Sequence, residues 1–199
     1  AIDAMYGPEG PQVFRTISRF YVGFGVIGII LLTLISPWLL RTFTSPAYYE
    51  SWPIVGILSW QSMFYGFFLI AAAGLTKVEK TYLYPILMGS ALFFGTILNY
   101  LLVPQFNIFG AAIATALTYL AWIIVSMIVS EKFWSIGLLN RIFISQILLG
   151  ILACVILLLP HIGFVIKTIS SILIIVLLIR ISIESETINL VRLKLPKYN

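Results

Sequence analysis

Gln61 and Tyr65 stand four residues apart in the apolar run WPIVGILSWQSMFYGFFLI, residues 52–70. On a helix that spacing puts both side chains on one face. A carboxamide and a phenol can hydrogen-bond a hydroxyl-rich ligand, and the phenol ring can also stack on it. The same pair is suited to bonding a neighbouring helix instead. Lys167 is the one charge well inside a predicted apolar helix, four residues from its start. It can hold an anion, or it can snorkel its ammonium to the headgroups. Arg19 and Arg41 flank the apolar run 20–40, one at each mouth. They are placed to hand an anionic group across, or simply to anchor a helix at its two interfaces. Asn99, Thr115, Tyr119 and Gln146 are read as packing groups rather than ligands.

Other chemistries find no residues. There is no Ser-His-Asp set, because the single histidine, His161, falls in a predicted turn. Glu50, Glu79, Glu131, Glu184 and Glu186 fall in loops or the tail, so none is placed to relay protons at mid-membrane. One histidine and one cysteine do not supply the three or four ligands that zinc needs, so no metal site is expected. No G-x-x-x-x-G-K-[ST] phosphate loop occurs, which argues against ATP hydrolysis by this segment. Cys154 lies alone in an apolar run and forms no internal disulfide. The expectation is a transporter without catalytic residues or a cofactor.

The elements that must position these residues follow from composition. Hydrophobic residues make up 61% of the chain, charged residues 10%, and the mean hydropathy is +1.08. Soluble domains carry about 25% charged residues. So few charges cannot clothe 199 residues in a polar surface, and the solvent must be lipid. Crossing the hydrocarbon takes about 20 apolar residues. Six runs qualify, approximately 20–40, 54–76, 81–103, 108–130, 142–160 and 163–183, and predict an all-α integral membrane bundle of six helices. Pro160-His161 reads as a tight turn between the last two, with one re-entrant pair as the other reading. Residues 1–19 are expected to be a cytoplasmic segment and 184–199 a cytoplasmic tail. The chain begins at Ala1 without a signal-peptide pattern and reads as a fragment of a longer protein.

Lys and Arg set the direction. Arg15, Arg19, Lys77, Lys80, Lys132, Arg141, Arg180, Arg192, Lys194 and Lys197 share one side if the runs alternate, leaving only Arg41 and Lys167 of the twelve on the other. That split predicts both termini in the cytoplasm. It accounts for the net charge of +5 without a nucleic-acid partner.

The stretch LNYLLVPQFNIFGAAIATALTY, residues 98–119, carries the densest local signal. PQFN at 104–107 predicts a short turn at the bilayer surface, with Pro104 stopping one helix and Asn107 capping the next. Gly110, Ala114 and Thr118 then recur every four residues on one face. Such a stripe lets two backbones approach closely, as a packing surface or as a surface that slides during transport. Pro37 and Pro85 are expected as kinks or helix boundaries.

This stretch resembles the ninth-to-tenth helix region of polysaccharide flippases of the Wzx type, within the multidrug/oligosaccharidyl-lipid/polysaccharide exporter superfamily. The likeness rests on Leu98, Asn99, Leu102 and Pro104, then Gly110, Ala111, Ala112, Ala114 and Thr115. SPAYYESWPIVGILSWQSMFYGFF and GLTKVEKT are weaker matches on its flank. The resemblance implies one lobe of a two-lobe, twelve-helix transporter around a central cavity, with a six-helix N-terminal lobe as partner. It implies flipping of a polyprenyl-pyrophosphate-linked oligosaccharide repeat unit, for O-antigen, exopolysaccharide or capsule, across a bacterial or archaeal plasma membrane. A polysaccharide polymerase is a further implied partner. Gln61 and Tyr65 would then contact sugar, and Arg19, Arg41 and Lys167 the pyrophosphate. Coupling to a proton or sodium gradient is left open. A cation-coupled exporter of the same superfamily is the second reading, and a non-transporting membrane scaffold the third.

Overall fold

The computed structural model describes residues 7–159, 161 and 163–194, with side chains described as far as Ile183. Pro160 of the expected turn lies outside the described residues, as do the side chains of Glu184, Glu186, Arg192, Lys194 and Lys197. The order of helices is α1 (Gly10–Phe43), α2 (Trp52–Ala71), the short α3 (Ala73–Lys77), α4 (Leu83–Glu131), α5 (Arg141–Leu158) and α6 (Phe164–Lys194). A 3-10 turn, Pro46–Ser51, leads into α2. No strand occurs among the described residues. The bundle is all-α, as its composition requires.

Five stretches are long and apolar enough to cross a membrane, where the sequence predicts six. The difference lies in α4, which joins the runs 81–103 and 108–130. A straight helix of 49 residues would reach about 74 Å, more than twice the hydrocarbon thickness. This one reverses. Asn107 has φ 52° and ψ −129°. A methyl group built on Gly95 would lie 2.9 Å from Thr118 Oγ1, and one built on Gly110 would lie 2.2 Å from the Leu102 carbonyl oxygen. Residue 95 therefore meets 118, and 102 meets 110. Only two antiparallel arms, 83–106 and 108–131, make both pairings. Each arm is about 36 Å long at 1.5 Å per residue.

The turn itself differs from expectation. Pro104 stays helical and the reversal is confined to Asn107. Proline keeps a helical φ, although it forfeits its N–H bond and crowds the carbonyl one turn back. Asparagine is among the few residues that tolerate positive φ. Asn107 thus acts through its backbone and not as the expected side-chain cap. Helix α1 also begins earlier than the run 20–40, at Gly10, with proline in its opening turn. Arg15 and Arg19, expected in a preceding segment, are helical. At the other end α6 stays helical to Lys194, through part of the expected tail.

Pro37 lies inside α1, and Pro85 in the first turn of α4. An amide at Pro85 would have no intrahelical partner to lose. Pro37 frees the Thr33 carbonyl, which instead accepts a hydrogen bond from the buried Ser36 hydroxyl at 2.8 Å.

The helices pack as layers. The α4 hairpin lies on α2, α2 on α1, and α1 on α5 and α6. Val22, Val26 and Ile30 of α1 and Met63, Phe64 and Phe67 of α2 form the middle of the core. The α1 positions recur every four residues, and Phe67 lies three and four residues beyond Phe64 and Met63, so each set shares one helix face. At one end the 132–140 loop gathers three helices. Arg15 Nε donates to the Ile136 carbonyl. Lys77 sits 4.1 Å over the Trp134 ring and Lys80 4.0 Å over Phe133. Glu131 accepts from the Gly137 and Leu138 amides, and Asn140 caps α5 by accepting from Phe143 N–H at 2.9 Å. Arg41 lies at the far end of α1 from Arg15. Arg15, Lys77 and Lys80 thus gather at one end of the bundle and Arg41 stands at the other.

Gly110 offers the sharpest test of the hairpin. Gly110→Ala would place Cβ inside the Leu102 backbone, whereas Gly89, on the facing arm, has nothing within 4 Å of an added Cβ. Gly110→Ala should lower stability by about 1–3 kcal/mol, the usual range for overpacking, and Gly89→Ala should not. Thermal unfolding of the two variants in detergent checks this.

Candidate functional site

Between α2 and the two arms of α4 runs a groove of about 700 Å³. It exists because the first arm presents Gly89, Ala91 and Gly95 toward it. Its floor is Trp122, which is 5% exposed. The Trp122 ring stacks on Phe68 at 4.3 Å and on Tyr65 at 6.3 Å, and meets Tyr119 edge-on at 5.7 Å. Thr96 and Asn99 line one wall, and Thr115, Thr118 and Tyr119 the other.

The hydrogen bonding of this lining is half complete. The hydroxyls of Thr96, Thr115 and Thr118 each donate to the carbonyl four residues back, at 2.7–2.9 Å. The Asn99 amide does the same toward Gly95 at 2.9 Å. These bonds spend protons within each helix and leave the hydroxyl oxygens and Asn99 Oδ1 with acceptor capacity. The phenols of Tyr65 and Tyr119 make no hydrogen bond to the other described residues. Trp122 Nε1 is buried without an acceptor among the described residues. An aromatic floor beside unspent donors and acceptors can take a ring-shaped ligand rich in hydroxyls, or water.

A second, more apolar groove of about 940 Å³ lies between α1 and α2, along Phe20, Phe24, Gly25, Gly28 and Met63. The resemblance implies that the first two helices of the lobe face the transport cavity, and this groove lies between those two. Its polar groups are Thr16, Tyr21, Ser59 and Ser62, and the Tyr21 hydroxyl already donates to the Met63 carbonyl at 3.3 Å.

The residues singled out from sequence separate in space. Tyr65 lines the first groove, while Gln61 is half-buried and is not among the side chains lining either groove. Arg41 lines a crevice of about 470 Å³ with Tyr49, Glu50 and Trp52. Lys167 holds its ammonium 5.5 Å from the centre of the Trp52 ring. Arg19 is buried, and its carbonyl accepts from Gln146 Nε2 at 3.2 Å. Gln146 also donates to Ser182 Oγ at 2.9 Å, so it ties α5 to α1 and α6, the packing role expected of it. Gly110 and Thr118 face the first arm, and Ala114 is fully buried. The structure gathers Asn99, Thr115 and Tyr119, read from sequence as packing groups, into the groove wall beside Thr96 and Thr118. The signal for that wall was present in the hairpin register, which sets 95–99 opposite 115–119.

The chain is 30% identical over 131 residues to an uncharacterized membrane protein of Methanocaldococcus jannaschii, a match covering 63% of this chain and 25% of the relative. The chain thus spans about a quarter of the length of the curated relative it matches. No family model and no solved structure matches the chain. The relative and the five apolar helices together make this a multi-pass membrane protein.

Whether the groove holds water can be measured. Thr96→Cys and Thr115→Cys line it, and Val176→Cys, half exposed on α6, lies outside it. A thiol ionises and reacts where water reaches it, so a membrane-impermeant thiol reagent should modify the two groove cysteines at least about tenfold faster. Groove cysteines as inert as Val176→Cys would mean the groove is filled with lipid.

Proposed function

We propose that this chain forms one lobe of a transporter that flips a polyprenyl-pyrophosphate-linked oligosaccharide repeat unit across a plasma membrane for surface polysaccharide synthesis. The observation that carries this reading is the groove between α2 and α4. It sets two unpaired phenols, a carboxamide and three threonines beside an aromatic floor within helices long enough to span a bilayer. Lipid tails offer such groups nothing, whereas a saccharide offers hydroxyls for the polar wall and a ring face for Tyr65 and Tyr119. The resemblance at residues 98–119 supports the same substrate class. The gathering of Arg15, Lys77 and Lys80 at one end favours that end as cytoplasmic. A cation-coupled exporter would call for a carboxylate within the spans. Glu131 instead accepts from two backbone amides at the end of α4.

The test is translocation by the native protein, purified from its own membrane and reconstituted with a fluorescent polyprenyl-diphosphate oligosaccharide. Tyr65→Ala and Asn99→Leu should each slow translocation by roughly tenfold, about one lost hydrogen bond or ring contact, with folded yield unchanged. Wild-type vesicles that flip the lipid no faster than protein-free vesicles would end this reading.

A further inference from the structure

Two cations stand apart from the basic end of the bundle, and the fold brings both to one tryptophan. Arg41 lies in the last turn of α1 and lines the crevice that Trp52 closes. Lys167 lies in the first turn of α6, with its ammonium at cation–π distance from the same indole, 5.5 Å from the ring centre. Trp52 itself opens α2, directly after the 3-10 turn. Three segments distant in sequence therefore converge here. Glu50 shares the crevice but forms an ion pair with neither cation. The Tyr49 hydroxyl reaches Arg41 only at its backbone carbonyl, at 3.5 Å, so the guanidinium fork is left uncommitted. Two cations against one carboxylate leave this end net positive at the level of lipid headgroups.

A guanidinium presents paired N–H donors that match two phosphate oxygens, and an ammonium adds a point charge. We propose that the crevice around Trp52 binds the phosphate of a lipid headgroup, with Arg41 and Lys167 as its two cationic contacts. The phosphate has two sources, an ordinary anionic phospholipid or the diphosphate of a polyprenyl carrier. The choice of a polyprenyl diphosphate as one source rests on the proposed function, whereas binding of a phospholipid phosphate at this crevice needs neither the groove nor transport.

Binding is measured on the native protein in an uncharged detergent by native mass spectrometry, titrating phosphatidylglycerol and polyprenyl diphosphate separately. The comparison is Arg41→Gln/Lys167→Gln with Lys132→Gln/Arg141→Gln, which removes the same charge at the opposite end. The first pair should weaken binding of at least one probe by roughly tenfold, and the second should not. Added salt should weaken wild-type binding. Tighter binding of the polyprenyl diphosphate would identify the carrier as the source, and equal binding of both probes the bilayer phospholipid. Affinity unchanged in the Arg41/Lys167 variant, or reduced equally in both variants, would overturn the proposal.

Discussion

Inside hydrocarbon no water reaches a peptide group, so each segment of this chain must complete its own backbone hydrogen bonds. The rest of the structure follows from that. It forces helices through the apolar runs and restricts where the backbone can break. The one interior break of α4 is a single residue, Asn107, placed at the tip of the hairpin where two arms of membrane length meet. Where proline interrupts α1, a neighbouring serine supplies the missing donor. Thr33, Ser59, Thr115 and Ser126 likewise return their hydroxyl protons to the carbonyl one turn back. Polar side chains handled this way leave each helix able to pack by shape.

Shape then does what the hydrophobic effect does in water. Lipid tails are as apolar as leucine, so helices gain by close approach of backbones. Gly110 against Leu102 and Gly95 against Thr118 bring the two arms of α4 together. Thr33 fills the space over Gly56, and Val26 with Trp60 fills the space over Gly150. The hairpin reaches the rest of the bundle chiefly through α2, where Trp122 stacks on Phe68. The groove follows from these contacts. Large rings hold α2 and the second arm apart at the floor, and small residues on the first arm leave the space above it unfilled.

What local composition decides was legible in the sequence. The apolar runs, the two-ended distribution of Lys and Arg, and a reversal between 104 and 107 all depend on residues within a few positions of one another. The groove depends on which face of each arm meets α2, and these helices are apolar nearly all round, so periodicity could not rank their faces. Asn99, Thr115 and Tyr119 therefore read as packing groups although the fold sets them in one wall. Arg19 read as a mouth residue because α1 was expected to begin at 20. Ten further residues of helix put it beside Gln146 instead. The pairing of Gln61 with Tyr65 held along the helix but not around it. Four residues rotate a side chain by about 40° and lift it about 6 Å. That is enough to take Gln61 out of the groove that Tyr65 lines.

The same energetic rule makes the groove the most informative surface of the molecule. Elsewhere on the helices the exposed side chains are overwhelmingly leucine, isoleucine, valine and phenylalanine, which lipid solvates at no cost. Along the groove, two phenols, a carboxamide oxygen and an indole N–H are left with capacity the described residues do not use. Each polar group left unsatisfied in an apolar medium costs on the order of 1–3 kcal/mol. Of the four, the indole N–H is the one that is buried, whereas Tyr65 is half exposed. The groove does not hold every such group, since Gln146 Oε1 is also buried with no partner among the described residues, where α5 meets α1 and α6. Under the transport reading, water or a hydroxyl-rich headgroup in the groove would return hydrogen bonds to the two phenols and to Asn99 Oδ1.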